Sequence, residues 1–93
     1  MGKFRVEVTK TANEDIAKHK KSGNKNSINK IARILIELTE TPYFGHGNPE
    51  ALKHNYLGYW SRKINQKDRI IYKVEEDIVT VFVISAMGHY SDK

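Results

Sequence analysis

The sequence predicts an α+β domain of order β-α-α-β-β-β, in which an antiparallel meander carries two N-terminal helices on one face. Three observations predict it. Residues 4–8 alternate apolar and polar; Ile28, Ile31, Leu35 and Leu38 recur at helical spacing; and the second half holds three β-rich runs separated by tight turns. Ninety-three residues hold one such domain, 1–93, with no room for a second core.

Each element has its own signal. Phe4, Val6 and Val8 lie on one face of a first strand, with Arg5 and Glu7 on the other. Thr11 and Glu14 have capping-box spacing and predict a helix start, which Ser22-Gly23-Asn24 ends. A second helix runs from about Asn26 to Thr39, and Pro42 forbids its continuation. Asn48-Pro49 reads as an N-cap followed by a first helical residue, so a short helix from Pro49 to about His54 is expected. Residues 56–64 then form a strand, Asn65 to Asp68 a turn, and residues 69–75 a second strand. Glu76-Asp77 turns the chain into the β-branched run 78–86, which suits a central strand. The first strand joins at an edge or alongside. The face away from the helices would be concave and would display Arg62, Arg69 or Lys73 to solvent.

Composition excludes several chemistries. Without cysteine there is no disulfide scaffold, thiolate metal site or cysteine nucleophile. No apolar run approaches the roughly 20 residues that span a bilayer, and residues 1–5 lack the apolar core of a signal peptide. The expectation is a cytoplasmic protein. The net charge of +5 suggests an anionic partner, and its basic residues concentrate in two blocks, residues 1–25 and 50–75.

Candidate chemistry is sparse. His46, Glu50 and His54 recur every four residues, but Gly47 and Pro49 break any helix that would align them, so no metal site is expected. His19 stands among lysines and reads as solvated. Glu50, Arg69, His89 and Tyr90 remain. If the last two strands pair antiparallel, Arg69 and the Ala86 end meet at the same end of the sheet, which brings Arg69, His89 and Tyr90 together. A base, an acid and a guanidinium suit metal-free cleavage of an RNA phosphodiester. Each residue also has a plain explanation: a helix macrodipole for Glu50, a cross-strand partner for Arg69, a frayed tail for His89-Tyr90. Trp60 and Tyr59 read more readily as core than as base-stacking platforms. From the residues alone the reading stops at a basic α/β domain, with RNA binding left open.

A longer pattern goes further. Thr41-Pro42-Tyr43-Phe44-Gly45, Asn48-Pro49-Glu50-Ala51-Leu52-Lys53-His54-Asn55, Gly58-Tyr59-Trp60-Ser61-Arg62-Lys63-Ile64, Asp68-Arg69-Ile70-Ile71-Tyr72 and Gly88-His89-Tyr90 closely resemble the YoeB/Txe family of type II toxins, in the RelE/ParE superfamily. The resemblance implies a RelE-like fold and a ribosome-dependent mRNA endonuclease acting in the decoding site, with no cofactor. It implies Glu50 as general base, His89 as general acid, Arg69 on the transition-state phosphate and Tyr90 in substrate positioning. Lys53, Arg62 and Lys63 would bind substrate, Lys63 standing where relatives often carry arginine and so lacking its fork. The implied partners are the ribosome, mRNA and a cognate acidic antitoxin of YefM/Phd-like or similar type, with no membrane; a homodimer is left open. Two other readings stand beside it: a non-catalytic superfamily member, and a basic RNA-binding module whose Trp60 and tyrosines stack on bases.

Overall fold

The computed structural model describes residues 3–88. In chain order they form β1 (Arg5–Val8), α1 (Lys10–Ser22), α2 (Lys25–Leu38), β2 (Glu50–Ala51), β3 (Tyr59–Lys63), β4 (Arg69–Glu75) and β5 (Thr80–Ser85), with single 3-10 turns at His54–Tyr56 and Glu76–Ile78. The five strands make one sheet of order β1-β5-β4-β3-β2. β2 to β5 pair antiparallel, whereas β1 lies parallel to β5 at the edge. The expected meander is therefore present, extended to a mixed sheet by an edge strand at each side.

The helices meet at a hinge of two residues. Gly23 takes φ +76, the left-handed conformation that ends α1, and its amide donates to Lys20 O. Asn24 then caps α2 by accepting from the Ser27 amide at 3.1 Å. Ile31, Ile34 and Leu38 pack with Ile70, Tyr72, Val81 and Val83, all almost wholly buried, and Val6 and Val8 close the same core from β1. The inward residues of β4 and β5 thus face the α2 stripe that the spacing identifies.

Four expectations change. Helix α1 starts at Thr9, not at a Thr11–Glu14 box: the Thr9 hydroxyl accepts from the Ala12 amide and itself donates to Ile84 O at 3.1 Å. A threonine leaving β1 can cap the helix and hold β5 together, which Thr11 cannot. No helix runs from Pro49 to His54. Asn48 sits at φ +52, outside the extended region an N-cap requires, and Glu50–Ala51 instead pair with Ser61 and Trp60. Lys63 N to Gly47 O and Leu52 N to Tyr59 O extend that pairing on both sides. Only His54–Tyr56 coils, and the following strand starts at Tyr59 rather than 56. Finally, His19 is buried, 3% exposed, and not solvated. It shares the inner stripe of α1 with Ala12 and Asp15.

Candidate active site on the open face of the sheet

Side chains alternate along a strand, so burial of Ile70 and Tyr72 toward the helices sends Arg69, Ile71 and Lys73 to the opposite face. The β3 register places Lys63, Ser61 and Tyr59 beside them in turn, and Glu50 lies across from Ser61. Glu50 and Arg69 meet on this face, Oε1 to Nη1 at 3.5 Å, with Glu50 largely exposed. Glu50 starts an edge strand rather than a helix, and Arg69 is a charge that lies beside it among the described residues. Lys63 and Arg69 are direct cross-strand partners. Two cations in that position repel, and the Glu50 carboxylate lies within reach of one of them. An added anion would be welcome there.

Beside this pair a groove of about 650 Å³ opens, with Ile71, Ile84 and Ser85 among its lining residues and Tyr56, Tyr59 and Gly88 at its sides. Tyr56 and Tyr59 meet edge to face, and Lys73 Nζ stands 5.8 Å from the Tyr59 ring. A hydrogen bond to Glu75 raises the Lys73 pKa, so this cation stays charged. Lys53 is exposed just after β2.

The chain returns to this site after β5. Arg69 N donates to Gly88 O at 2.9 Å, so Arg69 and the exit from β5 do share one end of the sheet. His89 and Tyr90 themselves lie outside the described residues. Trp60, in contrast, turns inward: it packs on the core and meets Tyr43 at 5.2 Å between ring centroids. Tyr59 departs from the core reading and belongs to the open face.

Arg62, expected at the solvent-facing surface as a substrate contact, is not displayed there. It is fully buried on the helix side of β3, since its register partner is Ile70. Its guanidinium donates to Glu37 Oε1 at 2.8 Å and to the carbonyls of Thr41, Phe44 and His46, while Nε donates to the Tyr72 hydroxyl. Tyr72 in turn donates to Pro42 O at 2.6 Å. Five acceptors satisfy one buried cation, and together they fasten the 41–46 segment to the sheet. Glu37 is the anionic end. Burial works against its charge, but the His46 amide and ring and the Arg62 guanidinium outweigh burial and hold its pKa below the ordinary value. His46 is thereby committed to Glu37 and Arg33, away from Glu50. Among the described residues no three potential metal ligands gather, and no helix is long and apolar enough to cross a membrane.

Known proteins share the sequence pattern and the fold. The family model for the YoeB-like toxin of bacterial type II toxin–antitoxin systems matches residues 8–90, and the chain belongs to that family. It is a toxin of the type II toxin–antitoxin class. Toxin YoeB of Escherichia coli O6:H1 is 37% identical over 67 residues, which cover 72% of this chain and 77% of the relative. The YoeB/ParE toxin from Agrobacterium tumefaciens superposes with a TM-score of 0.84 at 29% identity, covering 94% of this chain and all of that one. The toxin of the heterotetrameric YoeB–YefM toxin–antitoxin complex from Staphylococcus aureus gives 0.74 at 31% identity, over 94% and 98% of the two chains.

Proposed function

We propose that this toxin is a ribosome-dependent mRNA endonuclease that cuts message in the decoding site without a metal. The observation that carries the reading is the exposed Glu50–Arg69 pair on the open face, at the end of the sheet where the chain leads into His89. Glu50 takes the proton from a ribose 2′-hydroxyl, whose oxygen attacks phosphorus. The bond to the 5′-oxygen breaks, and His89 protonates that oxygen. The products are a 2′,3′-cyclic phosphate and a free 5′-hydroxyl. Arg69 neutralises charge on the phosphorane oxygens, which requires it to exchange Glu50 for phosphate. Lys63 and Lys53 hold flanking phosphates, and Tyr90 positions the substrate. Tyr56 and Tyr59 line the groove, which supports a path for single-stranded RNA along the open face.

The reading as a plain stacking module loses its main residue, because Trp60 belongs to the core. The natural inhibitor is an acidic antitoxin segment lying over Lys53, Lys63 and Arg69, as the YefM partner of the Staphylococcus aureus relative encourages. The test uses ribosomes programmed with a defined message. Wild type should cut with and without chelator, and folded Glu50→Gln should not. Full cutting by Glu50→Gln would remove the general-base assignment, and loss of cutting on chelation with ribosomes intact would overturn the metal-free reading.

A further inference from the structure

The chain from β5 to Gly88 is held by more than its strand neighbours. β1 ends opposite Val83, where Thr9 N donates to Val83 O and the Thr9 hydroxyl to Ile84 O. Beyond that point α1 takes over. Asp15 Oδ2 accepts from the Ala86 amide at 3.0 Å, and His19 Nε2 lies 2.7 Å from Ala86 O. The two side chains stand one helical turn apart, both buried, and together occupy the donor and the acceptor of one residue. Two residues later the pattern repeats from the other side. Asp68 Oδ1 accepts from the Gly88 amide at 2.8 Å, and Arg69 N donates to Gly88 O. Asp68 is itself fixed, since Asn65 Nδ2 donates to its Oδ2 and to Ser27 Oγ at the start of α2. Gly88 holds φ +70, a conformation the clamp can keep because glycine carries no Cβ.

We propose that Asp15, His19 and Asp68 are positioning residues for the cleavage reaction: they clamp Ala86 and Gly88 and so set the direction in which the chain enters His89. The proposal rests on the endonuclease reading. An apolar pair on α1 would bury the same surface at less desolvation cost. It would leave the strand free to slide, however, whereas a fully satisfied polar set specifies one arrangement. Polar groups on both backbone atoms of two alternate residues fix the segment that leads into His89. Arg69 contributes twice, with its backbone to the clamp and its guanidinium to the site, so the clamp ties the acid and the phosphate-binding cation to one frame. Misplacement of a reacting group by about 1 Å costs on the order of a hundredfold in rate.

The experiment pairs Asp68→Ala with Asp68→Asn, which keeps an oxygen acceptor, and His19→Ala with His19→Gln, which keeps an Nε2 donor. Cleavage rate at saturating programmed ribosomes, the half-saturating ribosome concentration, melting temperature and amide exchange at Ala86 and Gly88 are read together. The alanine variants should cut about ten- to a hundredfold more slowly, with half-saturation within about twofold. The Gly88 amide, which donates to Asp68, should exchange faster in Asp68→Ala; the Ala86 amide, which stays on Asp15, should exchange faster in His19→Ala because the carbonyl of the same residue loses its donor; and the asparagine and glutamine variants should recover rate and protection. If one alanine variant does not fold, the other pair carries the test. Full-rate cutting with the clamped amide loosened would overturn the clamp, as would equal losses in the conservative variants. Wild type that fails to cut would overturn the endonuclease reading and the positioning role with it. An active wild type beside unaffected alanine variants removes the clamp alone.

Discussion

Arg62 and Arg69 carry the same guanidinium into opposite surroundings. Arg62 is buried among five acceptors and holds a loop; Arg69 is partly exposed with one exposed carboxylate. Removing one partner of a buried charged pair costs about 3–5 kcal/mol, so Arg62→Ala should be strongly destabilised in urea unfolding. Arg69→Ala should unfold within about 1 kcal/mol of wild type while losing growth arrest in an inducible bacterial assay. Glu37 adds a pH dependence. Its pKa is lowered in the folded protein, so its contribution is present above the unfolded-state value and is lost as pH falls through the folded one. The stability gap between wild type and Glu37→Gln should therefore be widest near neutrality and shrink in acid, below the ordinary glutamate range. A gap that stayed constant from pH 7 to pH 3 would show that the charge of Glu37 is not what matters.

Among the elements, β2 is the most delicately placed. It is two residues long, and its approach depends on Gly47 at φ +87, whose missing Cβ would come within 2.9 Å of Lys63 O and 3.2 Å of Arg62 Cβ. Gly47→Ala should loosen the Lys63 N to Gly47 O bond, seen as faster exchange of the Lys63 amide, and should impair cutting by moving Glu50. Unchanged Lys63 protection would refute this dependence. The sequence carried α2, β4 and the turns around β4 plainly, because periodicity and turn residues are local. Asn48-Pro49 misled because the same dipeptide serves a helix start and a left-handed turn into an edge strand; only the pairing with Ser61 and Trp60 decides between them. Arg62 was unreadable as a buried ion because its counterion, Glu37, lies 25 residues away. Asp15 and His19 did leave a trace: with Ala12 they sit at helical spacing on the inner stripe, where polar residues require partners. Those partners are the backbone atoms of Ala86, a pairing that no local pattern encodes.

At the scale of the whole molecule, charge and topology act together. With a net charge of +5, binding of single-stranded RNA by the free protein should weaken with salt, the logarithmic slope being about −0.7 per phosphate contacted. Lys53→Ala and Lys63→Ala should each reduce that slope by about one contact in a filter-binding titration, and an unchanged slope in both would move the RNA path off this face. Topology bears on a different event, the vectorial growth of the chain. β5 is made after every other strand described, yet it lies between β1 and β4, and Arg69 receives its contact from Gly88 only beyond it. A nascent chain halted before Thr80 holds Glu50 and Arg69 but leaves β1 and β4 with open edges and the α2 stripe half covered. The sheet can close only after the segment through Gly88 has cleared the exit tunnel. The open face therefore takes its final form only after β5 and Gly88 have been made, although the strands that carry Glu50 and Arg69 precede them.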